Sequence, residues 1–288
     1  MDLEMRLRQV YQARDSEEFA TGLDHPEGLA FDADGILWAG GEAGQIYRMD
    51  LGGNVKEVAA LGGFCLGITV TPEQDLWVCN AGLRMLQRVS RDGRVTESVE
   101  KADGCRLINP NYSVIDANDN LYFTDSGTWD GANGHVYRLA PSGVISHIAG
   151  PLRFPNGMAL SAQEDMLFVV ESQTDSVLVI ALVDGHPPSP AEVYVSGLAR
   201  VPDGLALDER GNLYVACYAS DAIYCVTPGR EVRLLIHDPE ATRVARPTNI
   251  AFGGPQHEDL YVANFGRWHI GRLHLGIPGQ RLNGERKR

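Results

Sequence analysis

The stretch Pro202-Asp203-Gly204-Leu205-Ala206-Leu207-Asp208 turns at Gly211 and returns as Leu213-Tyr214-Val215-Ala216. An apolar run, a Gly/Asp/Asn turn and a second run opening on Leu plus an aromatic read as a β-hairpin. The same phrase occurs six times, with second strands opening at Leu37-Trp38, Leu76-Trp77, Leu121-Tyr122, Leu167-Phe168, Leu213-Tyr214 and Leu260-Tyr261. The spacings are 39, 45, 46, 46 and 47 residues. Strand-rich units repeating near 45 residues imply a radial array, here an all-β six-bladed β-propeller with four strands per blade. Such a fold brings equivalent residues of every blade to one axis.

Working outward, the fifth unit continues into Ala222-Ile223-Tyr224-Cys225-Val226. The first unit runs Gly28-Leu29-Ala30-Phe31-Asp32, Leu37-Trp38-Ala39, Gln45-Ile46-Tyr47-Arg48-Met49 and a strand near Val55-Lys56-Glu57-Val58. The sixth unit supplies at most three strands, so its outer strand must come from elsewhere if no edge is left open. Arg8-Gln9-Val10-Tyr11-Gln12 or Glu18-Phe19-Ala20 are the candidates, pairing with His269 to Leu273. The tail after about Gly276 is expected to be loosely attached. Residues 1–288 are read as one propeller domain, with blades starting near 27, 66, 111, 156, 203 and 248.

Composition narrows the function. The chain of 288 residues carries a net charge of −13, which argues against a nucleic-acid surface. No apolar run approaches the length of a membrane span, and Met1-Asp2-Leu3-Glu4-Met5-Arg6 lacks an apolar signal core. A soluble, cytoplasmic protein is therefore expected, without nucleic-acid or membrane partners; the oligomeric state stays open. Five cysteines without CxxC spacing read as buried reduced thiols.

The position just before each inner strand holds Glu27, Leu66, Asn111, Asn156, Asp203 and Thr248. Antiparallel order puts these residues on one face near the axis. Four of the six offer carboxylate or carboxamide oxygens, and none is His or Cys. Calcium or another hard divalent cation takes such ligands, whereas zinc prefers nitrogen and sulfur. Pro-Asp-Gly and Asn-Gly are also ordinary turn sequences, but each repeat already has its own hairpin turn. The metal-site expectation is Glu27, Asn111, Asn156 and Asp203. Pocket walls should come from the loops joining second and third strands: Asn80, Asp125 to Trp129, Glu171, Tyr218 and Phe265 to His269. Leu66, Trp129, Phe265 and Trp268 point to a partly apolar ligand. The Gly-rich loop Ser126 to Gly134 reads as a lid or simply a longer connection. His135 and His269 are candidate proton carriers, though a lone histidine is more often structural. No Gly-x-Ser-x-Gly elbow and no phosphate-cradling loop is present.

At these residues the chain resembles the senescence marker protein/gluconolactonase/luciferin-regenerating enzyme superfamily of six-bladed propellers. The phrases are His25-Pro26-Glu27-Gly28-Leu29-Ala30-Phe31, Pro110-Asn111, Tyr122-Phe123-Thr124-Asp125, Phe154-Pro155-Asn156-Gly157 and Pro202-Asp203-Gly204-Leu205-Ala206-Leu207-Asp208. Phe154-Pro155-Asn156-Gly157 with Leu160-Ser161 also resembles the strictosidine-synthase-like branch. The resemblance spans about residues 20–275. It implies a calcium or other divalent ion held by Glu27, Asn156 and Asp203, with Asn111 as ligand or substrate contact. It also implies lactone or organophosphate hydrolysis with Asp203 as base or nucleophile. Asn109 stands where sugar-lactonase relatives often place a substrate-binding Arg, and Tyr112 where many lactonases have an Asp. The substrate-contact expectation is therefore Asn111, Leu66, Asn109, Trp129, Glu171, Tyr218 and Trp268, around a small molecule such as a lactone. The alternatives are a non-catalytic binding propeller and a strictosidine-synthase-like non-hydrolytic catalyst. The latter calls for an acidic residue on the last blade, which Asn264-Phe265-Gly266-Arg267-Trp268 lacks.

Overall fold

In the computed structural model, which describes residue 6 and residues 8–286, the Leu-aromatic phrase has a plain cause in three of the six blades. Asp208 folds the first hairpin of its blade by accepting the Arg210 and Asn212 amides at 2.9 Å each, and its other oxygen accepts the Tyr214 hydroxyl at 3.2 Å. Asp32 does the same with Asp34, Ile36 and the Trp38 indole N–H, and Asp116 with Asn118, Asn120 and Tyr122. A buried Tyr or Trp needs a partner for its polar tip, and the turn Asp supplies it. Trp38, Tyr122 and Tyr214 are fully buried between blades.

Six four-stranded antiparallel sheets result. Inner strands are Leu29–Phe31, Cys65–Val70, Pro110–Ile115, Pro155–Leu160, Pro202–Leu207 and Pro247–Gly253. Each neighbours the next around a closed ring, the sixth touching the first. Second strands such as Leu76–Asn80 and Leu213–Cys217 are buried along their whole length, whereas that of blade 4 starts on the exposed Met166. Outer strands such as Val95–Val99 are mostly solvated. The core thus lies in layers between blades. A further short hairpin, Lys101–Ala102 with Cys105–Arg106, sits between the second and third blades.

The outer strand of the sixth sheet is Ser16–Ala20, paired with His269–His274 in the register Ser16↔Leu273. Phe19 packs edge-on against Tyr261 with centroids 4.9 Å apart, and Arg272 pairs with Glu17 at 2.7 Å. Tyr11 instead bridges to Ile236 in the fifth blade.

The C-terminal tail corrects the expectation of loose attachment. Residues 276–285 lie across the end of the axis where the inner strands finish. Gln280 donates to the Leu160 carbonyl, Asn283 to the Ile115 carbonyl, and Gln74 to Gly284. Ile277 is buried, and a Cβ on Gly284 would lie 2.1 Å from the Val70 carbonyl oxygen. The inner strands end on carbonyls that need donors, and the tail provides them. Among the described residues no helix is long and apolar enough to cross a membrane.

Candidate functional site

Five inner strands break register with their second strands where they begin, between Cys65 and Ile68, Pro110 and Ser113, Pro155 and Met158, Pro202 and Leu205, and Pro247 and Asn249. Such bulges re-aim one side chain. The residues they free are Leu66, Asn111, Asn156, Asp203 and Thr248; Glu27 joins them in blade 1, its amide bonded to Gly40. Four residues on the approach, His25, Phe154, Val201 and Arg246, hold left-handed φ of 41 to 59° directly before a proline. For Val201, β-branched, that conformation costs on the order of 1–3 kcal/mol. Asp175 offsets it by accepting the Val201 amide at 3.0 Å, and Asp221 accepts that of Arg246 at 2.7 Å.

Glycine follows the ring residue in four blades, and a Cβ there would strike the next blade's ring carbonyl. At Gly28 it would lie 2.3 Å from the Leu66 oxygen, and at Gly157 2.2 Å from that of Asp203. The ring is narrow because these backbones touch.

Electrostatically the ring is frustrated. Burial, and then the charge of Asp203, push Glu27 well above the usual carboxylate range, against the pull of the Thr248 hydroxyl. Burial pushes Asp203 up to about 8, with the Asn156 amide as its one relief. Both side chains are walled in by protein yet partly open to solvent, as groups lining a well are. Two like charges in one poorly solvated well raise the proton affinity of the pair.

Asn156 is 5% exposed, and its Nδ2 donates to the Ser172 hydroxyl at 3.3 Å. Its Oδ1 is buried and without a protein partner. A free amide oxygen beside two carboxylates that repel each other is a donor set that fits a hard divalent cation. Asn111, 7% exposed, sits in the next ring position.

At the rim, His25 packs at a tilt against Phe265 and Trp268, at centroid distances of 4.7 and 4.4 Å. Its Nδ1 lies 2.8 Å from Asp24 and 2.8 Å from Glu42. Tyr218 packs on Phe265 and under the Arg246 guanidinium. His25, Arg246, Phe265 and Trp268 line an open hollow beside the loops of blades 5 and 6, which none of the six ring residues reaches. Trp129 is half-exposed and packs on Phe154. Asn109 lies in the loop entering the third blade, its amide bonded to Asp125.

Some expected wall residues also anchor the scaffold. Asn80 accepts the Phe64 and Leu83 amides, and Asp125 accepts those of Ile108 and Asn109. Glu171 accepts the Arg153 amide at 2.7 Å and the Thr174 hydroxyl at 2.7 Å. All three close second strands and tie down the loop entering their own blade, so the Glu171 carboxylate is committed to the scaffold. His269 is 3% exposed and bonded to the Arg243 carbonyl, and His135 pairs with His147 at 3.1 Å on the outer half of blade 3. Sequence reasoning missed Ser172 as a partner of the ring, and placed Thr248 in the ring without its hydrogen bond to Glu27. It also missed the rim role of His25, which stands two residues before Glu27 in a quoted phrase.

The fold and the ring define a six-bladed propeller with an acidic axial well. The SMP-30/gluconolactonase/LRE-like region model matches residues 42–265, and the chain belongs to that family. A strictosidine synthase-like N-terminal model matches residues 19–49. A gluconolactonase of Zymomonas mobilis subsp. mobilis is 31% identical over 191 residues, covering 59% of this chain and 53% of that protein. The match thus spans about half the length of that relative. Pentonolactonase XacC of Haloferax volcanii is 22% identical, covering 80% and 77%. In fold, the chain superposes on a gluconolactonase from Xanthomonas campestris with TM-score 0.78 at 22% identity, covering 92% and 89%.

Proposed function

We propose that this protein is a divalent-metal-dependent hydrolase of a lactone. The observation that carries the reading is the coupled pair Glu27 and Asp203 beside the unpartnered Asn156 Oδ1, at the axis of a fold shared with lactonases. Glu27, Asn111, Asn156 and Asp203 would hold the cation, with calcium the first candidate. A cation bound there supplies Lewis-acid polarisation of the ester carbonyl.

The chain's own residues do the rest. Asp203, which a bound cation would keep ionised, accepts the proton of the attacking water as general base. Water oxygen bonds to the carbonyl carbon, the ring C–O bond breaks, and the leaving oxygen regains a proton to give the hydroxy acid. Asn111 and Asn109 offer amides to the polar edge of the ring. Leu66, Tyr218, Trp129 and Trp268 exclude water from its apolar edge.

The test is a panel of five- and six-membered lactones assayed with protein stripped by chelator and then refilled with calcium. Ring opening is expected only after refilling. Stripped protein that retains full activity, or refilled protein that opens none of the lactones, overturns the reading.

A further inference from the structure

The axial channel is not continuous. Tyr112 and Asn249 follow the ring residues in blades 3 and 6, which face each other across the axis. The Tyr112 hydroxyl donates to Asn249 Oδ1 at 3.2 Å. That oxygen also accepts the Ile250 amide at 2.7 Å, and Asn249 is 3% exposed, so the acceptor is fixed. The same position in the other four blades is glycine: Gly28, Gly67, Gly157 and Gly204. Four blades therefore put no side chain there, and the remaining two send theirs together to form a bar.

Beneath the bar lies a cavity of about 120 Å³. Tyr112 lines it, but none of the six ring residues does. Its walls are Ile68, Met158, Leu205 and Ile250, and its far end is closed by the tail from Gln280 to Glu285. A water needs roughly 10–15 Å³ on the same measure, so this chamber has room for several methylenes.

We infer that the Tyr112–Asn249 bar is the floor of the substrate well and its specificity determinant. It confines the ligand to a ring with short substituents by shutting off an apolar chamber that would otherwise take an alkyl chain. This inference rests on the lactonase reading for its substrate class. The phenol ring does the blocking, and the hydrogen bond to Asn249 holds it in place.

The experiment compares wild type with Tyr112→Val and Tyr112→Phe on γ-butyrolactone, γ-hexalactone and γ-nonalactone. Calorimetric binding of butyrate and nonanoate gives a second readout that needs no turnover. Wild type is expected to lose at least tenfold in kcat/KM from the shortest to the longest lactone, and to bind butyrate over nonanoate. Tyr112→Val should narrow both gaps at least tenfold, while Tyr112→Phe keeps the wild-type profile. If Tyr112→Val does not fold, Tyr112→Leu takes its place, with a smaller shift in the same direction. A Val or Leu profile parallel to wild type, or no chain-length preference in wild type, overturns the floor. Absence of lactone turnover with chain-length-dependent alkanoate binding sinks the lactonase reading alone and leaves the floor standing.

Discussion

The Ser172 hydroxyl donates to the Pro202 carbonyl at 2.7 Å and accepts from Asn156 Nδ2 at 3.3 Å. Its one proton is spent on Pro202, so only the NH₂ end of the Asn156 amide can face it. The amide is thereby oriented, and Oδ1 is the atom left over. Ser172 on blade 4 thus couples a ring residue to the strand that begins with Pro202 and Asp203.

Ser172→Ala tests this orientation. The variant removes one of the amide's two partners, leaving the Asp203 carboxylate alone to orient it. Calcium affinity is expected to fall about 10–100-fold, the usual consequence of losing an outer partner of a ligand. Titration calorimetry of both proteins measures it. Equal affinities would mean that Ser172 only supports the loop.

The second prediction concerns the sixth blade. Deleting residues 1–21 removes the strand Ser16–Ala20 and bares the edge of His269–His274. It also removes Phe19 from Tyr261 and Glu17 from Arg272. A lower melting temperature and concentration-dependent association are expected, since an uncovered edge templates pairing. Thermal scans and gel filtration across concentrations check this. A monomeric truncation as stable as the full chain would contradict the closure.

How much of this was legible beforehand follows from what a repeat can report. The period came from Leu-aromatic pairs, and in three of the six blades a turn Asp six residues upstream accepts from the aromatic's polar tip, as in Asp208 and Tyr214. The ring was legible because its members share one repeat position. Sharing a position does not separate chemistry from scaffold, however. Asn80, Asp125 and Glu171 also share one, and each serves backbone amides of an incoming loop. The tail was misread because its anchors, the carbonyls of Ile115 and Leu160, belong to every strand end and leave no mark in side-chain pattern. The floor was hidden likewise: Tyr112 stood out only as a residue where many lactonases have an Asp, and its partner Asn249 stands 137 residues away.

The third prediction concerns the tail and pH. Burial pushes Glu285 up to about 8, against the pull of its Leu282 amide, Arg281 and Arg286. Burial also pushes His257, whose Nε2 is 3.6 Å from Glu285, down to about 4. The two therefore meet as neutral groups at pH 7, not as an ion pair. For Glu285 the folded state binds its proton more tightly than the unfolded state does. Its contribution to stability is full below about 4.5 and is lost as pH rises through about 8. Glu285→Gln keeps the acceptor for Leu282 and removes the titration. Wild type minus variant melting temperature should fall as pH goes from 5 to 9, with the His257 contribution cancelling between the two. A difference that stays flat would place the Glu285 carboxyl in solvent.

The last prediction separates holding a cation from doing chemistry. Asp203→Asn keeps the size of the side chain and one oxygen, and removes the charge and the base. Asn156→Ala removes the unpartnered oxygen and touches no base. Both should weaken cation binding, so both should be slow at limiting calcium. At saturating calcium Asn156→Ala should recover part of its turnover, because its defect is one of affinity. Asp203→Asn should remain slow by about 10²–10⁴-fold even with the site filled, the usual size of one acid–base contribution. The measurement is turnover against calcium concentration, with occupancy read by metal analysis of the same samples. Full recovery of Asp203→Asn would leave Asp203 as a ligand only. The base would then have to be sought at the rim, where His25 is pinned between Asp24 and Glu42, since Asp125, Glu171 and His269 are already committed to backbone partners.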